Sequence, residues 1–169
     1  MDEQFNLDSS LKLLEKTLTS LDGQSTSQDQ LKSRQATLDD LEDIVERARR
    51  FHSQSIWKDV LYDEDRIRGM VSALLLTGGV FINSCGGFIA GTIVPILFSA
   101  TTLVATELAW FAPNGGGREL RESFEEWGRM NGANLLQFCA LASDNFDEVH
   151  RNMDRNGFAL AELNYVKVL

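Results

Sequence analysis

Cysteine, proline and histidine are scarce in this sequence, with two of each in 169 residues. Two cysteines, Cys85 and Cys139, are too few for a disulfide framework. Both stand in apolar surroundings and read as buried free thiols of a reducing compartment. The histidines, His52 and His150, lie far apart, and neither has a second His or Cys at ligand spacing. That pattern predicts no metal site and puts both on solvated helix faces. Cys139 and His150 do not make a nucleophile arrangement, and no Gly-x-Ser-x-Gly occurs. Gly115-Gly116-Gly117 lacks the Lys-Ser/Thr of a phosphate loop and reads as a flexible link. No catalytic residue and no cofactor is therefore predicted. The 16 basic residues are outnumbered by 25 acidic ones, for a net charge of −9. An acidic chain without a basic stripe repels phosphate backbones, which argues against nucleic acid as a partner. Met1-Asp2-Glu3 carries no basic n-region and no early apolar run follows it, so no secretory signal peptide is expected.

Charge is missing altogether from Gly69 to Thr106, 38 consecutive residues, and again from Leu108 to Gly117. One membrane-spanning helix needs about 20 apolar residues, so the block is too long for a single pass and suits a helical hairpin. Asn83-Ser84-Cys85-Gly86-Gly87 is its most turn-like point. A long second arm, Phe88 to Phe111, is expected to kink at Pro95. Gly87, Gly91, Pro95 and Ser99 recur every four positions, a spacing that lets helices approach closely in lipid. Trp57 and Tyr62 precede the block and Trp110 closes it, where amphipathic rings suit a headgroup layer. Hydroxyl and amide residues within the block keep a soluble bundle with a buried hairpin as the competing reading. Glu107 marks the boundary, snorkelling or pairing with Arg118 or Arg121.

The flanks read as amphipathic helices. Leu7, Leu11, Leu14, Leu18 and Leu21 make a heptad-like stripe after an Asp8 cap, followed by a Ser-rich link. A second helix is predicted from about Asp29 to Ser53, with Thr37 and Asp40 capping a restart. Asp63-Glu64-Asp65 looks like a fresh helix start, with acids on the first turn. Beyond the Pro113 to Gly117 breaker, Leu120, Phe124 and Trp127 share one face of a helix, and another helix is expected from about Asn131 to Phe146.

The predicted class is all-α: a single domain, 1–169, built as a helical bundle. Amphipathic helices (1–62 and 114–169) flank a central apolar helical hairpin (63–113). This order resembles the plan of α-helical pore-forming and apoptosis-regulating proteins and implies a hairpin that can be shielded and released. The Trp127-Gly128-Arg129 triplet echoes a Bcl-2 family box but follows the apolar block where that box precedes it, so the family is not assigned. The expected function is non-enzymatic and membrane-engaging, either membrane-inserting and pore-forming or a structural subunit of a membrane complex. The alternative is a soluble bundle that binds partner helices through the Leu7–Leu21 or Leu120–Trp127 face. The expected partners are a lipid bilayer or other helical subunits, including copies of this chain as a homo-oligomer. The expected location is membrane-associated, otherwise cytoplasmic.

Overall fold

The computed structural model describes residues 32–140 and 146–167. The Leu7, Leu11, Leu14, Leu18 and Leu21 stripe lies outside the described residues. Within them the chain is not all-α. It builds a five-stranded sheet in the order β1-β2-β3-β4-β5, from β1 (Ser33–Gln35), β2 (Gly79–Asn83), β3 (Phe88–Ile96), β4 (Ser99–Phe111) and β5 (Leu135–Gln137). Strands β1 to β4 pair antiparallel, and β5 joins β4 in parallel. Helices α1 (Leu41–Gln54) and α2 (Glu64–Thr77) connect β1 to β2. Helix α3 (Gly117–Met130) connects β4 to β5, and α4 (Phe146–Arg155) follows β5.

The predicted apolar hairpin of 63–113 is thus half helix and half sheet. Its first arm is helical only to Thr77. From Gly79 the chain runs β2, a turn at 84–87, β3, a tight turn at 97–98, and β4. The physical reason is layering. Val80 and Ile82 on β2, with Phe88 and Ala90 on β3, pack on Ile44, Val71 and Leu74 of α1 and α2. Phe81 and Ile89, one residue out of step, pack on Leu120 and Phe124 of α3. All five residues of β2 are buried. A strand covered on both faces shows no polar alternation and reads as a continuous apolar run. β-Branched and aromatic residues, which fill this block, favour the pleated alternative.

Two helix starts stand where the sequence puts them. The Asp63 carboxylate accepts the Arg66 N–H at 3.0 Å and opens α2. Asp40 accepts the Thr37 N–H at 2.8 Å, ahead of α1. The helix expected from Asp29 begins only at Leu41, because Ser33–Gln35 pairs with Phe81–Asn83 as an edge strand. Over residues 131–140, the described part of the helix expected from about Asn131 to Phe146, the chain forms a turn and β5 instead. Gly132 turns the chain at a φ of 81°, and the Leu103 carbonyl then accepts the Asn134 N–H.

The small-residue stripe serves the sheet instead of a helix face. Gly87 closes the β2–β3 turn, and Gly91 lies on β3 under α3. A Cβ on Gly91 would come within 2.5 Å of the Phe124 ring and collide with the Thr106 carbonyl oxygen. Pro95 and Ser99 lie at the far end of the β3–β4 hairpin, beyond the last β2 pair at Gly79–Gly91. No helix among the described residues is long and apolar enough to cross a membrane. This overturns the membrane-inserting, pore-forming hairpin. The fold also removes the soluble helical bundle that was its alternative.

Two glycine substitutions of opposite sign test this packing. Gly91→Ala should destabilise the protein by at least about 1–3 kcal/mol, the cost of overpacking a filled core. Gly69→Ala, on α2 with nothing near its would-be Cβ, should stabilise it by about 1 kcal/mol. Urea unfolding measures both. A neutral Gly91→Ala would contradict the close approach of α3 to β3.

Candidate functional site

The sheet opens next to its fifth strand. β5 pairs only with Val104, Ala105 and Thr106, whereas β4 continues to Phe111. The opening coincides with an irregularity on the other edge of β4. Ala90 pairs with Ala109 but its neighbour Gly91 pairs with Glu107, leaving Leu108 as the extra residue of a β-bulge. The bulge flips the pleat. Ala105 faces α3, whereas Ala109 and Phe111 face α1 and α2. A bulge bends its strand and raises its local twist, and β4 separates from β5 at this point.

Glu107 sits at the fork. It is 6% exposed, and its Oε2 accepts the Cys139 N–H at 3.0 Å. A side-chain carboxylate therefore takes the place of a ladder carbonyl where the ladder ends. Burial pushes its carboxyl up to about 7, against the opposing pull of that backbone hydrogen bond. It neither snorkels nor pairs with Arg118 or Arg121. The Cys139 thiol is pushed up from its ordinary value by burial first, then by the charges of Glu107 and Glu162. That disfavours the thiolate, although Cys139 is itself exposed and not the buried thiol that its apolar sequence surroundings suggest.

The second component is the connection from β4 to α3. Pro113 follows the strand, and Gly115 and Gly116 adopt φ of 92° and 74°, a region that glycine enters without steric cost. Gly116 is the N-cap of α3 and supplies no side-chain cap. The first N–H groups of an α-helix have no carbonyl partner within the helix. Here they end a 14-residue helix, whose dipole places partial positive charge at the same point. Such an end binds phosphate through its amides and needs no lysine. The Gly115–Gly117 run is therefore a shaped helix start and not a flexible link.

A cavity of about 440 Å³ lies directly against this helix end, lined by Trp110, Gly117, Arg118 and Arg121 and by Glu148, Val149, Asn152, Met153 and Asn156 on and after α4. Arg121 is nearly buried. Its Nη2 donates to Asn156 Oδ1 at 3.0 Å, and its guanidinium lies 5.9 Å from the Phe158 ring. The Trp110 indole Nε1 is buried and has no hydrogen-bond partner among the described residues. A buried donor without a partner is costly, and this one belongs to a residue of the cavity wall. Phe138, 5.6 Å from Trp110 and 5.8 Å from Phe124 between ring centroids, packs the α3 side of the opening.

The sequence-predicted residues are scattered by this arrangement. Trp110 alone of the predicted membrane-flanking set reaches the site. Trp57 is exposed in the α1–α2 connection, and the Tyr62 hydroxyl donates to the Val45 carbonyl at 3.1 Å. Leu120 and Phe124 are fully buried, and Trp127 packs with them against this chain's own sheet, so that face already has its partner. Glu107, Gly115, Gly116 and Arg121 were not predicted as site residues. Their signal was a lone acid at the edge of an apolar run and a glycine triplet between that run and a helix. It becomes legible only once the run is known to be a strand.

No protein family and no curated protein matches the sequence. Solved structures do. The aminoglycoside acetyltransferase AAC(6')-Iy, in complex with the bisubstrate analogue CoA-S-monomethyl-acetylneamine, matches at a TM-score of 0.61 and 15% identity, over 82% of this chain and 98% of that one. A structure from Arthrobacter sp. FB24, described as an acetyltransferase, matches at a TM-score of 0.64 and 19% identity, over 81% and 95%. A transcriptional regulator from Bacillus halodurans C-125 matches at a TM-score of 0.61 and 17% identity, over 82% and 99%. The expectation of a non-enzymatic helical protein falls here: this chain has the mixed α/β fold found in acetyltransferases.

Proposed function

We propose that this protein is an acyl-CoA-dependent N-acyltransferase that uses an amine as its acceptor. The observation that carries this reading is the junction of two features. An uncapped α3 N-terminus suited to phosphate stands beside a strand pair forced open at a buried carboxyl that titrates near neutrality. The aminoglycoside acetyltransferase AAC(6')-Iy, of the same fold and solved both with CoA and with a bisubstrate analogue, supports the same ligand. Fold alone does not assign an activity, so the argument rests on the residues.

The residues present fit a coenzyme A thioester. The free amides at the start of α3 suit its diphosphate, and Trp110 forms part of the wall of the cavity beside them. When bound, acetyl-CoA would supply the activated acyl group. The remaining chemistry falls to this chain. An amine acceptor arrives as an ammonium ion, and its conversion to an amide releases a thiol and one proton. Glu107, held at the fork by the Cys139 N–H, takes that proton. A base whose pKa lies near the working pH is best matched to the task. The net charge of −9 favours a cationic acceptor over an anionic one.

Thiol release from acetyl-CoA, assayed across aminoglycosides, polyamines and lysine peptides, tests this directly. At least one amine should be acetylated, and the rate should rise with pH through a midpoint near 7, since the ionised Glu107 is the active form. Glu107→Gln should lower kcat by about 10²–10⁴-fold and leave CoA affinity unchanged. A wild-type protein that does not bind CoA would overturn the reading.

The same carboxyl sets a pH dependence of stability. Its ordinary value is 4.5 and its folded value about 7. Between these, the native protein keeps a proton that the unfolded chain has given up, so stability falls as pH rises. From pH 4 to pH 8 the loss should be about 3 kcal/mol, since each pH unit separating the two values contributes about 1.4 kcal/mol. Glu107→Gln should remove that slope. Urea unfolding curves that stay parallel for the two proteins across this range would contradict the burial of Glu107.

A further inference from the structure

We propose that Asn83 is a positioning residue that turns the glycine loop toward its anion. The inference rests on the acyl-CoA reading above. Asn83 is the last residue of β2 and is 4% exposed. Its Oδ1 accepts the Gly87 N–H at 2.8 Å, and its Nδ2 donates to the carbonyls of Gly115 and Gly116 at 3.5 and 3.4 Å. The loop answers from its own side, with Asn114 Nδ2 donating to the Cys85 carbonyl at 3.0 Å. Arg47 reaches in from α1 and donates through Nη1 to the carbonyls of Asn83 and Gly87, while Asp43 holds its Nη2 at 2.7 Å. Two amides thus clasp the β2–β3 turn to the β4–α3 loop, and the Arg47 guanidinium ties that turn to α1.

The clasp has a directional consequence. In a planar trans peptide the C=O of one residue and the N–H of the next point opposite ways. Drawing the Gly115 and Gly116 carbonyls toward Asn83 turns the N–H groups of Gly116 and Gly117 away from it. Gly117 lines the cavity at the start of α3. The Gly116 carbonyl is also held by the Leu120 N–H at 3.2 Å, so the Gly115 carbonyl depends most on the clasp: released, it can swing into that space, where its partial negative charge opposes a phosphate. The turn also fits too closely to drift. A Cβ on Gly87 would stand 2.9 Å from the Phe111 carbonyl oxygen and 3.1 Å from Asn83 Oδ1. Asn83 therefore acts on the ligand through the loop and touches neither the reacting atoms nor the anion.

Calorimetric titration with CoA, well below each variant's melting temperature, separates this role from simple support of the fold. Asn83→Asp keeps the acceptor for Gly87 and loses the donor for the loop, and should weaken CoA at least tenfold. Asn114→Ala, at the surface end of the clasp, should weaken it several-fold and carries the test if Asn83→Asp does not fold. Ile44→Val, a core change away from the loop, is the stability control and should bind CoA as wild type does. Affinity within twofold of wild type in a folded Asn83→Asp, or in Asn114→Ala if the former does not fold, would overturn the proposal. So would an equal loss in Ile44→Val. If the wild type itself binds no CoA, it is the acyl-CoA reading that has failed, and the clasp has no ligand to serve.

Discussion

Leu108 is one residue more than β3 can match, and the shape of the site follows from that mismatch. A β-bulge leaves its extra residue unpaired and twists the strand, and the parallel partner β5 follows β4 no further than Thr106. Backbone amides and carbonyls exposed inside a protein must find partners. Here Glu107 supplies one by accepting the Cys139 N–H. The rest of the β4 edge, from Leu108 to Phe111, has no fifth-strand partner among the described residues. An edge left open between two covered faces is suited to a ligand that brings its own polar groups, as an amide-rich pantetheine chain does.

The surrounding packing holds that edge open. Both faces of β2 and the first half of β3 are covered, by α1 and α2 on one side and α3 on the other. Interiors packed to crystal density transmit a local mismatch and do not absorb it. Gly91 and Gly79 let α3 lie close: a Cβ at either would strike Phe124 or Trp127. That closeness sets where the first turn of α3 stands relative to the fork. The glycine loop, the bulge and Glu107 are thus three consequences of how one strand leaves the sheet.

The parts of this fold legible in the sequence are those with local chemistry. Asp63 opens a helix because its carboxylate reaches the Arg66 N–H, and Leu120, Phe124 and Trp127 line one face of α3 because helical periodicity puts them there. The sheet was hidden because Val80-Phe81-Ile82 and Phe88-Ile89-Ala90 are buried on alternate faces, which erases the polar alternation that reveals a strand. With β4 read as a helix, Gly115–Gly117 became a breaker and Trp110 a membrane-interface ring. Glu107 stood out as the one acid against an uncharged background. Its role depends on a register shift that no local pattern announces, and on Cys139, which the fold brings to it from beyond β5.

The central claim is that the fork at Glu107 and the start of α3 form one continuous seat for a coenzyme A thioester. A crystal structure of the protein with CoA tests it most directly. The account predicts the diphosphate on the amides of Gly116 to Glu119, with the pantetheine chain between β4 and the segment after β5, its sulfur end beside Glu107. CoA bound elsewhere, or a β5 that closes onto β4 as far as Phe111, would contradict it.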